Sequence, residues 1–107
     1  MTDIRDLDLS SLDIHIVQHG PLTLKAVPTL SLEPTLDQTK QLLCVEHAAL
    51  AIDAFAPTRE ALLVELNEQI TMLWTEYALA DDDMLDIVAR KLKHALLAAF
   101  AEVRDAT

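Results

Sequence analysis

Several residue types are scarce in this chain, and each scarcity removes a class of explanation. A single cysteine, Cys44, excludes a disulfide framework and leaves a zinc knuckle short of ligands. A single glycine, Gly20, cannot build a phosphate-cradling glycine loop. Lys and Arg number 8 against 18 Asp and Glu, a formal net charge of -10. Affinity for phosphate backbones comes from basic side chains, so direct nucleic-acid binding is not expected. No run approaches the roughly 18 uncharged apolar residues that a membrane span needs. The opening residues MTDIRDLD are acidic, so no secretory signal is expected either, and a reducing cytoplasm is the expected setting.

Apolar residues, by contrast, make up 51% of the 107. That composition is too aliphatic for a disordered acidic tail, and the length suits one domain with one core. Residues 1–107 therefore read as a single domain, with 1–10 expected to be a mobile N-terminal segment. Negative charge predominates throughout. Residues 1–56 hold 3 basic and 8 acidic side chains, 57–80 hold 1 and 4, and 81–107 hold 4 and 6. The one basic cluster, Arg90, Lys91 and Lys93, spreads over the polar side of a helix. An acidic chain is suited to steering in a basic protein partner, and the same charge keeps so apolar a composition dispersed.

The two halves follow different periods. In residues 12–18 Leu12, Ile14 and Ile16 alternate with Asp13 and His15, and after His19-Gly20-Pro21 the alternation resumes through Leu22, Leu24 and Ala26. Two such runs about a Gly-Pro break predict a hairpin. Leu30 and Leu32 suggest a short third piece between Pro28 and Pro34, and residues 41–46 and 50–55 read as two further strands. From Pro57 the period becomes helical. Thr58 can cap, Glu60 suits the first turn, and Leu62, Leu63, Leu66, Ile70, Leu73, Trp74 and Tyr77 share an arc of about 120°. Asp81-Asp82-Asp83 is expected to start a second helix, whose stripe takes in Met84, Leu85, Val88, Leu92, Ala95, Leu96, Ala99 and Val103, with Phe100 beside it. The two stripes predict an antiparallel helical hairpin. The expected fold is α+β, with a small antiparallel sheet of three to four strands covered by a helix and followed by a second C-terminal helix.

Residues 41–78 place strand, short connection, second strand and the helix start Ala54-Phe55-Ala56-Pro57-Thr58-Arg59-Glu60-Ala61 in succession. This stretch resembles the HicB-type antitoxin domain. The resemblance implies a truncated ribonuclease-H-like sheet carrying a helix on one face, and a partner that is a small basic ribonuclease toxin. His47-Ala48-Ala49 stands where that family has a glycine-rich turn. Nothing at the C-terminus resembles its helix-turn-helix or ribbon-helix-helix reader, so DNA binding is not implied.

Candidate chemistry is sparse. Cys44 with His47, His15 and His19 are the available soft ligands, but they would have to meet across the sheet to hold a metal. Cys44 as a thiolate beside His15 is opposed by the acidic surroundings, which raise a thiol pKa. Asp53 and Glu46 on neighbouring strands offer a carboxylate pair, and polar sheet positions account for them equally well. No catalytic, metal or cofactor residues are assigned, and an enzyme is not expected. More telling are Val64, Met72, Ile87 and Leu97, large aliphatics on otherwise polar helical faces, which suggest a self-association surface in a homodimer. The favoured reading is a non-enzymatic protein-binding domain, in its sharpest form an antitoxin-like neutraliser of a basic partner. Two others stay open. One is a small-molecule-binding domain with a pocket walled by Trp74 and Tyr77 between sheet and first helix; the other is a homo-oligomeric structural protein.

Overall fold

Gly20, with φ of +60°, turns the chain between the first two strands in a region that favours residues without a Cβ. The computed structural model describes residues 9–103, so 1–8, most of the segment expected to be mobile, lie outside the described residues. Strand β1 (Leu12–His19) pairs antiparallel with β2 (Leu22–Leu32), His19 opposite Leu22 and Leu12 opposite Leu32. The register shifts between Ile14 and Ile16, where β2 runs through the cis Val27–Pro28 bond. Proline has no N–H for the ladder, and an irregularity at that point tolerates it. Leu30 and Leu32 thus continue β2 beyond the irregularity and do not form a separate strand.

A second sheet follows. Its strands β3 (Thr35–Leu36), β4 (Leu43–His47) and β5 (Ile52–Ala56) are antiparallel in that order. The loop into β4 is closed by Asp37, whose carboxylate accepts from the Gln41 and Leu42 N–H groups at 2.9 and 3.0 Å and from the Thr39 hydroxyl at 2.6 Å. Between β4 and β5 a 3-10 turn, Ala48–Leu50, is capped by His47 Nδ1, which accepts from Leu50 N–H at 3.3 Å, and it ends on Ala51 with φ of +57°.

Thr58 caps α1 (Arg59–Leu73) by accepting from Ala61 N–H at 3.1 Å. The helix widens into a π turn over Trp74–Ala78, closed by Leu79 N–H on the Trp74 carbonyl. A 3-10 turn at Asp82–Met84 leads to α2 (Ile87–Ala99), capped by Asp86, which accepts from Ala89 N–H at 2.8 Å. The second helix therefore starts four residues beyond the Asp81-Asp82-Asp83 triplet. It also ends earlier than its stripe suggests, because Phe100–Glu102 form a sixth strand, β6, antiparallel to β2 with Leu24 opposite Glu102. The first sheet has the order β1-β2-β6.

The architecture is α+β, with two three-stranded antiparallel sheets in place of one sheet of three to four strands. Helix α1 packs on β5, β1 and β4, whereas α2 packs on β2, β6, the 3-10 turn at Ala48–Leu50 and the π turn. The helices meet mainly through that π turn, so the expected helical hairpin is splayed over two sheets. Leu62, Leu66, Ile70, Leu73 and Trp74 are buried as their stripe predicts, each side chain contributing about 1.5–3 kcal/mol on burial. One apolar cluster spans both sheets, from Leu24 and Val17 through Val45 and Ile52 to Leu96 and Phe100. No described helix is long and apolar enough to cross a membrane.

Candidate functional site

Every buried residue among those described is apolar, so polar chemistry is confined to the surface. The soft ligands are dispersed. His15 lies on β1 with its Nδ1 3.0 Å from the Thr29 hydroxyl, whereas Cys44 lies on β4 in the other sheet. His47 is engaged with Leu50, and among the described residues no three His, Cys, Asp or Glu side chains stand close enough to hold a metal ion. The Cys44 thiol is pushed above its ordinary value by burial, assisted by the charges of Asp37, Asp53 and Glu46. Such a thiol is mostly protonated at neutral pH and a poor nucleophile. Glu46 and Asp53 do oppose each other on β4 and β5, both exposed.

The outer faces of the helices carry more information. Val64 is 55% and Met72 49% exposed on α1, and Ile87 is 69% and Leu97 46% exposed on α2. All four residues expected to interrupt the polar faces therefore lie at the surface. On α1 they fall in a row with acids: Glu60, Val64, Glu68 and Met72 are spaced four apart, with Glu65 alongside. On α2 the outer row is Ile87, Lys91, His94 and Ala98, flanked by Arg90 and Leu97. From Ile87 to Ala99 there is no carboxylate, while α1 carries Glu60, Glu65 and Glu68. Helix α1 thus presents aliphatics among carboxylates, and α2 presents them beside Arg90 and Lys91.

Helix α2 is held at its start by its own basic residues. Lys93 Nζ lies 2.8 Å from Asp82 Oδ1 and donates to the Ala80 carbonyl at 2.5 Å. Arg90 Nε donates to the Asp82 carbonyl at 2.9 Å. The hydrogen bond and charge of Lys93 hold the Asp82 carboxyl below the usual range. Lys93 is consequently spent on the turn, which leaves Lys91 and His94 exposed on the outer row.

Two residues that the sequence places in the buried stripe, Met84 and Val88, are instead 79% and 76% exposed. Leu63 and Val103 are exposed as well. Helix α2 buries only Leu96 fully and leans on the sheet through Leu92 and small side chains, Ala95 and Ala99 among them. These residues belong to the expected stripe, so the face is the predicted one; Met84 precedes the helix and Val88 lies in its first turn, where nothing of the core covers it. Beside Val88 runs an apolar groove of about 540 Å³, lined by Ala48, Ala49 and Ala51 on one side and Leu92 and Ala95 on the other. Tyr77 stands in its wall, half-buried; Trp74 is not among its lining residues and is packed in the core. The Trp74–Tyr77 pair expected to wall a common pocket is thus divided between core and groove.

Neither a family model, nor a curated protein, nor a solved structure matches this chain.

Proposed function

We propose that the chain is a non-enzymatic protein-binding domain working through the outer faces of its helices. One observation carries the reading. Large aliphatic side chains are exposed in register with like charges, on helices whose opposite faces are already satisfied by the core. Apolar anchors supply affinity on desolvation, and the surrounding charges select the partner and speed encounter. The acidic row of α1 suits a basic protein. Neutralisation of a small basic partner, as in HicB-type antitoxins, is the sharpest form of the proposal.

Co-expression with the product of the neighbouring reading frame tests this. A small basic protein that co-purifies in fixed stoichiometry, and is lost when Val64→Asp is introduced, supports the reading. A neighbouring product that is not basic, or a basic one that does not associate, overturns its antitoxin-like form.

A second reading, small-molecule binding, is favoured by the groove beside Tyr77. Its walls are mostly apolar, and Asp86 and Lys91 stand at its edge. Such a site takes a flat apolar ligand with a polar rim. A thermal shift that is abolished by Ala95→Leu would establish it.

A further inference from the structure

We infer that the groove beside Tyr77 receives an aromatic α-amino acid, its ring laid between the apolar walls and its ammonium and carboxylate held by Asp86 and Lys91. This rests on the second reading above, that the groove is a ligand site, and it names the class of ligand. The volume of about 540 Å³ lies within the range of small-molecule sites. Ala48, Ala49 and Ala51 on one wall face Leu92 and Ala95 on the other, so short apolar side chains leave a slot of low relief that suits a planar ring. The half-buried Tyr77 adds an aromatic surface on which such a ring can pack edge-to-face or offset.

The rim specifies the polar end of the ligand. Asp86 and Lys91 are the charged residues that line the groove, one of each sign, and they do not pair with each other. Asp86 uses Oδ1 to accept from Ala89 N–H at 2.8 Å, which leaves Oδ2 to accept again. Lys91 is exposed and has no ion-pair partner among the described residues. The two stand about 7–8 Å apart along the helix axis at 1.5 Å rise per residue. Ionic hydrogen bonds of about 2.7–2.9 Å at each end leave room between them for an ammonium and a carboxylate carried on one carbon atom. A ligand with a single charge fits this rim less well, since an acid alone sets its carboxylate beside Asp86 and an amine alone sets its ammonium beside Lys91. The zwitterion answers both, and having no net charge it is not repelled at long range by a chain of -10.

NMR titration of the isotope-labelled full chain tests the inference with L-phenylalanine, hydrocinnamate, phenethylamine and benzyl alcohol. These probes share a benzene ring and carry both charges, the carboxylate alone, the ammonium alone and neither. L-Phenylalanine should shift the resonances of residues 48–51, 77 and 89–95, and should bind about tenfold or more tightly than each of the other probes. Asp86→Asn keeps a capping side chain and Lys91→Gln keeps most of the stem, and circular dichroism verifies that both variants are folded. Asp86→Asn should abolish the preference for L-phenylalanine over hydrocinnamate, because nothing then rewards the ammonium. Lys91→Gln should abolish the preference over phenethylamine. Equal binding of all the probes at the groove overturns the inference and leaves the second reading in place, since an apolar ring is then still accepted. L-Phenylalanine binding that survives both variants unchanged, or that shifts residues elsewhere, overturns the inference. Silence with every probe, the uncharged one included, overturns the inference and the second reading together.

Discussion

Gln69 completes the backbone hydrogen bonding of Asp53 with its side chain. Its Oε1 accepts from the Asp53 N–H at 2.8 Å, and its Nε2 donates to the Asp53 carbonyl at 3.0 Å. Strand β5 is the edge of the second sheet, and an edge strand left open invites pairing with another chain. One amide on α1 thus imitates the missing neighbour and fastens the helix to the strand. Gln69→Ala should lower stability by about 1–2 kcal/mol, the net worth of two exposed hydrogen bonds. Gln69→Glu should cost more, since its carboxylate would face the Asp53 carbonyl. Urea unfolding of both variants provides the check.

Stability should fall in acid through Asp37 and Asp82. The Thr39 hydroxyl and the Leu42 and Gln41 N–H groups hold the Asp37 carboxyl below 3.8, and Lys93 does the same for Asp82. A carboxyl whose folded value is depressed stabilises the fold while ionised. The contribution is complete above the unfolded value and disappears as pH falls through the folded one. The melting temperature of the parent should therefore exceed that of Asp37→Asn and Asp82→Asn near neutrality. The gap should close as pH drops below 3.8, and a constant gap across that range would contradict the assignment.

Ala51→Gly should stabilise the protein. Ala51 sits at φ of +57° where the 3-10 turn enters β5, a conformation that costs an L-residue roughly 1–2 kcal/mol. Glycine removes that strain but adds freedom to the unfolded chain, which returns about 0.4–1 kcal/mol. A net gain of about 0.5–1 kcal/mol in urea unfolding is expected.

How far the sequence discloses this fold depends on which residues carry the pattern. Strict alternation from Leu12 and again from Leu22, broken by Gly20-Pro21, is enough to place the first hairpin. Thr58 and the Leu62–Leu66–Ile70 spacing suffice for α1 and its buried face. The face of α2 is legible too, since Leu92, Ala95, Leu96 and Ala99 share the stripe that meets the core, but how far along the chain that face is covered is not. Met84 and Val88 share that stripe yet are exposed, because α2 begins only at Ile87 and its first turn extends beyond the core. Phe100 sits beside that same stripe, so its strand conformation, set by a ladder with distant Ala26, leaves no local trace. At the candidate site, exposure of Val64, Met72, Ile87 and Leu97 follows from helical spacing alone. The groove beside Tyr77 does not, because its two walls come from residues about forty positions apart.

Trp74 is the only tryptophan, and its buried Nε1 has no hydrogen-bond partner. An orphaned buried donor costs about 1–3 kcal/mol, which offsets part of what the ring gains by burial. Trp74→Phe should therefore destabilise by no more than about 1–2 kcal/mol, less than the roughly 3–5 typical of deleting a buried aromatic. Native emission should be blue-shifted and move to the red on unfolding. A loss much larger than that would mean the indole N–H is satisfied.

Alkylation of Cys44 should be slow in the folded chain. Its raised thiol value leaves little thiolate at neutral pH. Iodoacetamide should react several-fold faster once urea has unfolded the chain, and native labelling should accelerate as pH rises. Rapid native labelling at neutral pH would show that the thiol is activated.

The pairing of Leu24 with Glu102 joins positions 78 residues apart, and Val103 N–H adds a bond to the Thr23 carbonyl. During translation, β2 therefore waits with one flank bare until residues 100–102 have left the ribosome. Closure over so long a loop is slow compared with hairpin or helix formation. A nascent chain halted before Phe100 would carry an unfinished sheet with an accessible strand flank, the kind of surface that chaperones recognise and that aggregates when crowded.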